Sequence, residues 1–158
     1  MSRPERILVD TSVWVEALRP DGEPACREFL RRELERGPSG KATEPRGWSG
    51  RLVTCDLVIA ELLCGATTRG KDISRLRYAL QVVPVLPLPE GAGFLAADLA
   101  EALRNKGLGA KPADFVISAI AIAHGAVLAH RDRHFELIAG VAPLETLPIG
   151  LQNPGGER

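Results

Sequence analysis

Four carboxylates stand at places where this chain could do chemistry. Asp10 follows directly on the apolar run Ile7-Leu8-Val9, Asp114 opens the apolar run from Phe115 to His124, and Asp132 comes just past Ala126-Val127-Leu128-Ala129. Glu61 differs, because it sits in the middle of the apolar stretch Val58–Cys64. Carboxylates gathered without a lysine among them repel one another and raise their own pKa values. A hard divalent cation removes that penalty, and oxygen-only ligands select Mg²⁺ or Mn²⁺ over zinc. Such a cation polarises a phosphoryl oxygen and lowers the pKa of an attacking water, which is the chemistry of phosphodiester hydrolysis. Thr11 and Ser12, next to the first acid, offer hydroxyls that can order a water there. Taken singly, each acid has a plainer explanation: Asp10 as a helix cap, Asp114 as an N-cap beside a helix dipole, Asp132 as a turn residue. Glu61 either faces solvent or has a cationic or metal partner, since burying it unpaired is costly. The weight lies in the four together.

The elements that must position these acids follow from the patterning. Ile7–Val9 is a short continuous apolar run, as in a buried parallel strand, and a helix follows from near Val13, with Thr11 or Ser12 as its cap. A helix after Pro24 carries Ala25, Cys26, Phe29, Leu30 and Leu34 on one face; its Arg27, Arg31, Arg32, Glu33, Glu35 and Arg36 read as a solvated face. Gly37–Gly50, rich in Gly and Pro, reads as a long loop that holds Trp48. A helix from about Asp56 is expected to end at Gly65, another spans Ile73–Val83, and Val82–Leu86 reads as a strand. Helices follow over Ala92–Arg104 and Asp114–His124, then a strand at Ala126–Ala129, a turn over Arg131–Phe135, and a weak strand near Leu144–Pro148. Strands alternating with helices predict an α/β domain with a mostly parallel sheet. In such a sheet the carboxyl ends of the strands and the starts of the following helices share one edge, where ligands bind, so Asp10, Asp114 and Asp132 belong to one rim. Arg131 and Arg133 flank one of these acids and are the best placed cations for phosphate contacts. His130 and His134 also bracket Asp132, but a zinc pair would need both on one helical face, and His130 falls at the strand end.

The whole chain sets wider bounds. Its 158 residues suit one domain over residues 1–150, with a disordered tail at 151–158. Twenty Lys and Arg balance twenty Asp and Glu, so any attraction to a polyanion must come from local arrangement of charge. Cys26, Cys55 and Cys64 are odd in number and lack the C-x-x-C spacing, which points to ordinary thiols in a reducing compartment. Met1–Arg6 is charged and lacks the apolar core of a signal peptide, and no apolar run reaches the length of a membrane span. The expectation is a cytoplasmic protein.

Four segments occur in order at recognisable spacings: Ile7–Trp14 (ILVDTSVW), Val58–Gly65 (VIAELLCG), Ala113–Ala119 (ADFVISA) and Leu128–Phe135 (LAHRDRHF). Together they resemble the PIN-domain ribonucleases, specifically the VapC-type toxins of type II toxin–antitoxin pairs, over about residues 6 to 149. The resemblance implies a three-layer α/β/α sandwich around a parallel sheet. It implies an acidic metal site made by Asp10, Glu61, Asp114 and Asp132, with Asp10, Asp114 and Asp132 on the metal and Ser12 in support. It further implies Mg²⁺ as cofactor with Mn²⁺ able to substitute, structured RNA such as tRNA or rRNA as substrate, a cognate antitoxin as partner, and pairing into homodimers. Two features depart from the pattern: His130 stands where the family often has Thr or Ser, and Gly37–Gly50 is longer than the usual connection. An imidazole at 130 can still bond a water or phosphate. The apolar helices near Val13–Leu18 and Ala25–Leu34 are the natural docking surface for a partner.

Other readings compete. A Mg²⁺-dependent phosphatase would want an Asp-x-Asp nucleophile at the first strand end, where this chain reads Asp10-Thr11-Ser12. A receiver module would want an acidic pair there and a lysine on a late strand, and neither is evident. A catalytically silent PIN-fold interaction module fits poorly with retention of all four acids.

Overall fold

The structure, a computed structural model, describes residues 6–36, 50–68 and 73–151. The expectations for Trp48 and residues 37–49, and for the tail beyond Leu151, lie outside the described residues. Among the described residues five strands run in chain order, β1 (Ile7–Val9), β2 (Leu52–Cys55), β3 (Val85–Leu86), β4 (Val127–His130) and β5 (Thr146–Pro148). They form one sheet in the order β3-β2-β1-β4-β5, with every pair parallel. β1 is central and wholly buried, pairing Ile7 with Leu52 on one side and with Val127 on the other. That environment is why its sequence is continuously apolar rather than alternating.

Among the described residues seven helices connect the strands: α1 (Thr11–Leu18), α2 (Pro24–Glu35), α3 (Asp56–Thr68), α4 (Ser74–Val82), α5 (Ala92–Arg104), α6 (Pro112–His124) and α7 (Arg133–Ala139). The strand order steps one way from β1 to β3 and then crosses back to β4 and β5. Right-handed crossovers in opposite directions place their helices on opposite faces. Accordingly α1 packs on α2 and α3 packs on α4, while α5, α6 and α7 pack on one another. The result is the expected α/β/α sandwich, with its direction reversal between β1 and β4. The crevice outside the carboxyl ends of those two strands is where ligands bind in open α/β sheets.

Local details depart from the sequence reading in instructive ways. Asp10, not Thr11 or Ser12, caps α1, because its Oδ2 accepts the Ser12 backbone N–H at 2.9 Å. Gly65 does not end α3, which runs on to Thr68; nothing lies within 4 Å of where a Cβ would stand, so neither crowding nor a turn demands glycine there. β3 is shorter than expected, since Val82 closes α4 and Pro84 cannot continue it. Residues Arg133–Phe135, read as part of a turn, open α7, whose Phe135 and Ile138 are buried one helical turn apart. Glu33, read as part of a solvated face, is fully buried and bonded by Arg51 at 2.8 Å and Arg36 at 3.1 Å. A buried carboxylate needs such partners, and Arg51 arrives from the far side of a long connection that sequence patterning does not reach.

Candidate active site

The strand ends place the acids by ordinary backbone geometry. The Asp10 N–H still donates to Ala129 in the sheet ladder at 2.9 Å, so the residue leaves β1 pinned beside the end of β4. Its carboxylate is buried and accepts two bonds from Ser12, one from the backbone N–H and one from Oγ at 2.5 Å. Ser12 Oγ also accepts the Arg131 backbone N–H at 3.0 Å, tying the exit of β1 to the exit of β4. Burial pushes the Asp10 carboxyl above the ordinary aspartate range; the Ser12 bonds oppose that shift, and the charges of Glu61 and Asp114 add to it. Glu61 is exposed on α3, and its Oε2 accepts the Thr11 hydroxyl at 2.5 Å. It is therefore oriented toward the rim without being buried.

Across the crevice, Asp114 lies three residues into α6 and is buried. Rather than capping the helix as its first residue, it reaches back from the third position, and its Oδ2 accepts the Lys111 N–H at 3.1 Å. Asp132 caps α7 by accepting the His134 backbone N–H at 3.0 Å. Asp114, Asp132 and His134 offer ligand atoms that all lie within 4.8 Å of one another. His134 Nδ1 stands 3.3 Å from Asp114 Oδ2 and 3.4 Å from Asp132 Oδ1. It is nonetheless a buried nitrogen without a hydrogen bond, because it is aligned with neither carboxylate. A polar atom so placed among carboxylates is what a cation-binding pocket presents, so the residues fit a divalent metal.

His130 is fully buried at the end of β4; its Nδ1 accepts the Asp132 N–H at 3.2 Å and its Nε2 faces Glu136 Oε1 at 2.8 Å. With Nδ1 accepting, the proton resides on Nε2 and is donated to Glu136. His130 thus does what a Ser or Thr hydroxyl would do, fixing the turn that presents Asp132. It points away from a paired-histidine zinc site. Arg133 is exposed beside Asp132, while the Arg131 guanidinium is bound by Glu23 at 2.9 Å and by the Gly150 carbonyl at 3.1 Å. From the sequence His134 was weighed only as half of a zinc pair with His130 and set aside. The signal that would have found it was α7 itself: Asp132 as a cap, followed by Phe135 and Ile138 one turn apart.

Beside the rim lies an open groove of about 760 Å³ between α1, α2, α3 and α4. Trp14, Val15, Leu18, Leu30, Leu34 and Leu62 line it, together with Arg27, Arg31, Arg75 and Glu61. Both helices expected to dock a partner contribute to it.

An open parallel sheet with acids converging where its strand order reverses defines a recognisable class, and comparison with known proteins agrees. The chain belongs to the PIN domain family, which it matches over residues 7–141. It is similar to the protein named Ribonuclease VapC11 from Mycobacterium tuberculosis, with 31% identity over 141 residues covering 88% of this chain and 96% of that one. Among solved structures it is similar to VapBC2 from Rickettsia felis, bound to a DNA fragment from their promoter, with 18% identity, TM-score 0.66, and 90% and 97% of the two chains covered. It is also similar to VapBC-5 from Mycobacterium tuberculosis, a member of the VapBC family of toxin–antitoxin systems, with 22% identity, TM-score 0.58, and 92% and 99% covered.

Proposed function

We propose that this chain is a divalent-metal-dependent endoribonuclease and the toxin of a toxin–antitoxin pair, acting in the cytoplasm on structured RNA such as tRNA or rRNA. The observation that carries the reading is that Asp114 and Asp132 offer ligand atoms within 4.8 Å of one another, while buried Asp10 feels the charges of both Asp114 and Glu61. Membership of a nuclease family supplies the reaction class. Asp10, Asp114 and Asp132 would hold the metal, Mg²⁺ in the cell with Mn²⁺ able to replace it. When bound, the ion activates water and neutralises developing charge on the phosphoryl oxygens. The protein's own part is to orient. Ser12 holds Asp10, Thr11 holds Glu61 at the solvent side where a water enters, and His130 holds the Asp132 turn. Arg133, exposed beside the rim, is placed to take an RNA phosphate; Arg131 can join it only by leaving Glu23.

The groove gives the antitoxin its seat. Its apolar lining suits an amphipathic segment, and Glu61 in that lining lets a basic side chain of the segment approach the acids. Tyr78 and Val82, one turn apart on α4, and Val85 on the edge strand are exposed and suit a second copy of this chain. No helix among the described residues is long and apolar enough to cross a membrane. One nuclease domain spanning residues 1–150 accommodates all of these features.

The test is incubation of total RNA with the purified chain and Mg²⁺ or Mn²⁺, beside Asp10→Asn and beside EDTA. Discrete cuts in one RNA, absent from both controls, are expected. Cutting that survives both controls would remove the acidic site from the reaction. Folded protein that neither cuts nor gains thermal stability from either metal would make the chain an interaction module.

A further inference from the structure

We infer that His134 is a nitrogen ligand of the metal site, making the β4 half of the rim a carboxylate–carboxylate–imidazole set rather than an all-oxygen one. The inference rests on the metal-dependent reading above and deepens it. Three observations meet at this residue. Its Nδ1 is buried and lacks a hydrogen bond, while two carboxylate oxygens stand at 3.3 and 3.4 Å. Ligand atoms sharing one cation at bonds of about 2.0–2.2 Å lie roughly 2.8–3.1 Å apart in octahedral geometry and about 3.3–3.6 Å apart in tetrahedral geometry, so these separations lie within a few tenths of an ångström of either. All three groups are held by the backbone: Asp114 through the Lys111 N–H, Asp132 through the His134 N–H, and His134 by its place in the first turn of α7.

The facing groups leave little else for that nitrogen to do. The acids beside it already accept backbone bonds, and His130, the other imidazole nearby, is committed to Glu136 and to the Asp132 N–H. Adding one imidazole to carboxylates tilts a site along the Irving–Williams series, toward borderline ions and away from Mg²⁺. The consequence is specific: this site should prefer Mn²⁺ over Mg²⁺ by more than its carboxylates alone would give.

The test loads the metal-free full chain with Mn²⁺ and reads the ion by electron paramagnetic resonance, with pulsed detection of ¹⁴N coupling. The unsubstituted chain is expected to show nitrogen coupling that His134→Ala abolishes. Mn²⁺ affinity should fall about tenfold in the variant. Mg²⁺ affinity, read by competition, should fall by less than roughly threefold. Metal-free melting of His134→Ala against the unsubstituted chain checks that the fold is intact, and His134→Asn provides a second variant that keeps a polar side chain. Bound Mn²⁺ without nitrogen coupling, coupling that survives both substitutions, or tighter Mn²⁺ binding by His134→Ala would overturn the inference, the last because it would make His134 a cation neutralising the acids in the ion's stead. Those outcomes leave the nuclease reading intact, whereas failure of the unsubstituted chain to bind Mn²⁺ at all would overturn both.

Discussion

The two halves of the acidic rim answer their negative charge differently. On the β1 side every acid has a hydroxyl donor from its own neighbourhood: Ser12 for Asp10 and Thr11 for Glu61. On the β4 side Asp114 and Asp132 accept backbone N–H groups, and the nearest side-chain nitrogen, His134 Nδ1, bonds neither. The first half is therefore organised by local hydrogen bonds whether or not an ion is present. The second half has its acids held by backbone N–H groups, with no side-chain donor hydrogen-bonded to them. Metal-linked behaviour should accordingly concentrate on α6 and α7, and fold-linked behaviour on the Asp10–Ser12 turn.

The largest expected effect tests the second half. Asp114→Asn keeps an acceptor for the Lys111 N–H, so the fold should survive. The variant loses a full ligand charge, and a bound metal contributes several kcal/mol to transition-state charge stabilisation, so RNA cleavage should fall about 10³-fold or more. The thermal shift produced by Mn²⁺ or Mg²⁺ should vanish with it. A variant that still gains stability from metal would move the ion entirely to the β1 half and break the contrast.

That contrast also marks how far the sequence could be read. Asp10 and Asp132 were legible because each ends an apolar strand run, and parallel strands must deliver their carboxyl ends to one edge. Asp114 was legible because it opens the most apolar helix of the chain. His134 was not, since α7 is only seven residues long and begins in a polar cluster that looks like a turn. Glu33 was hidden for a different reason: its burial depends on Arg51, a partner 18 positions away across a long connection, and local periodicity carries no record of such pairings. Elements and edges are local properties of the chain. Which nitrogen faces which oxygen is a tertiary one.

A middle-sized effect tests the first half. Ser12→Ala removes the Oγ donor to Asp10 and the acceptor of the Arg131 N–H in one change. Leaving that partly buried N–H without its bond and losing the donor to a carboxylate should cost about 1–2 kcal/mol in urea unfolding. Cleavage should drop roughly tenfold, the size expected when a group that orients a ligand is lost, while Mn²⁺ still binds. Loss of metal binding as severe as in Asp114→Asn would show that the Ser12 bonds hold a metal ligand whose position decides occupancy, and the two halves would then be one.

The smallest effect has the opposite sign. Asparagine caps a helix as well as aspartate does, so Asp10→Asn should leave the start of α1 intact. What it removes is a buried charge whose carboxyl is held above its ordinary value by burial, with Glu61 and Asp114 adding to the shift. A raised folded-state pKa means that the folded protein holds its proton more tightly than the unfolded chain. The penalty is then fully present above the folded value and fades as pH falls toward and below about 3.8. Metal-free Asp10→Asn should therefore be more stable than the unsubstituted chain at pH 7, by roughly 0.5 kcal/mol. The two unfolding curves should converge as pH approaches 4. With saturating Mn²⁺ the order should reverse, because only the unsubstituted chain gains from the ion. If the variant is less stable without metal at neutral pH, the Ser12 bonds outweigh burial, and the β1 half is a structural turn that happens to carry an acid.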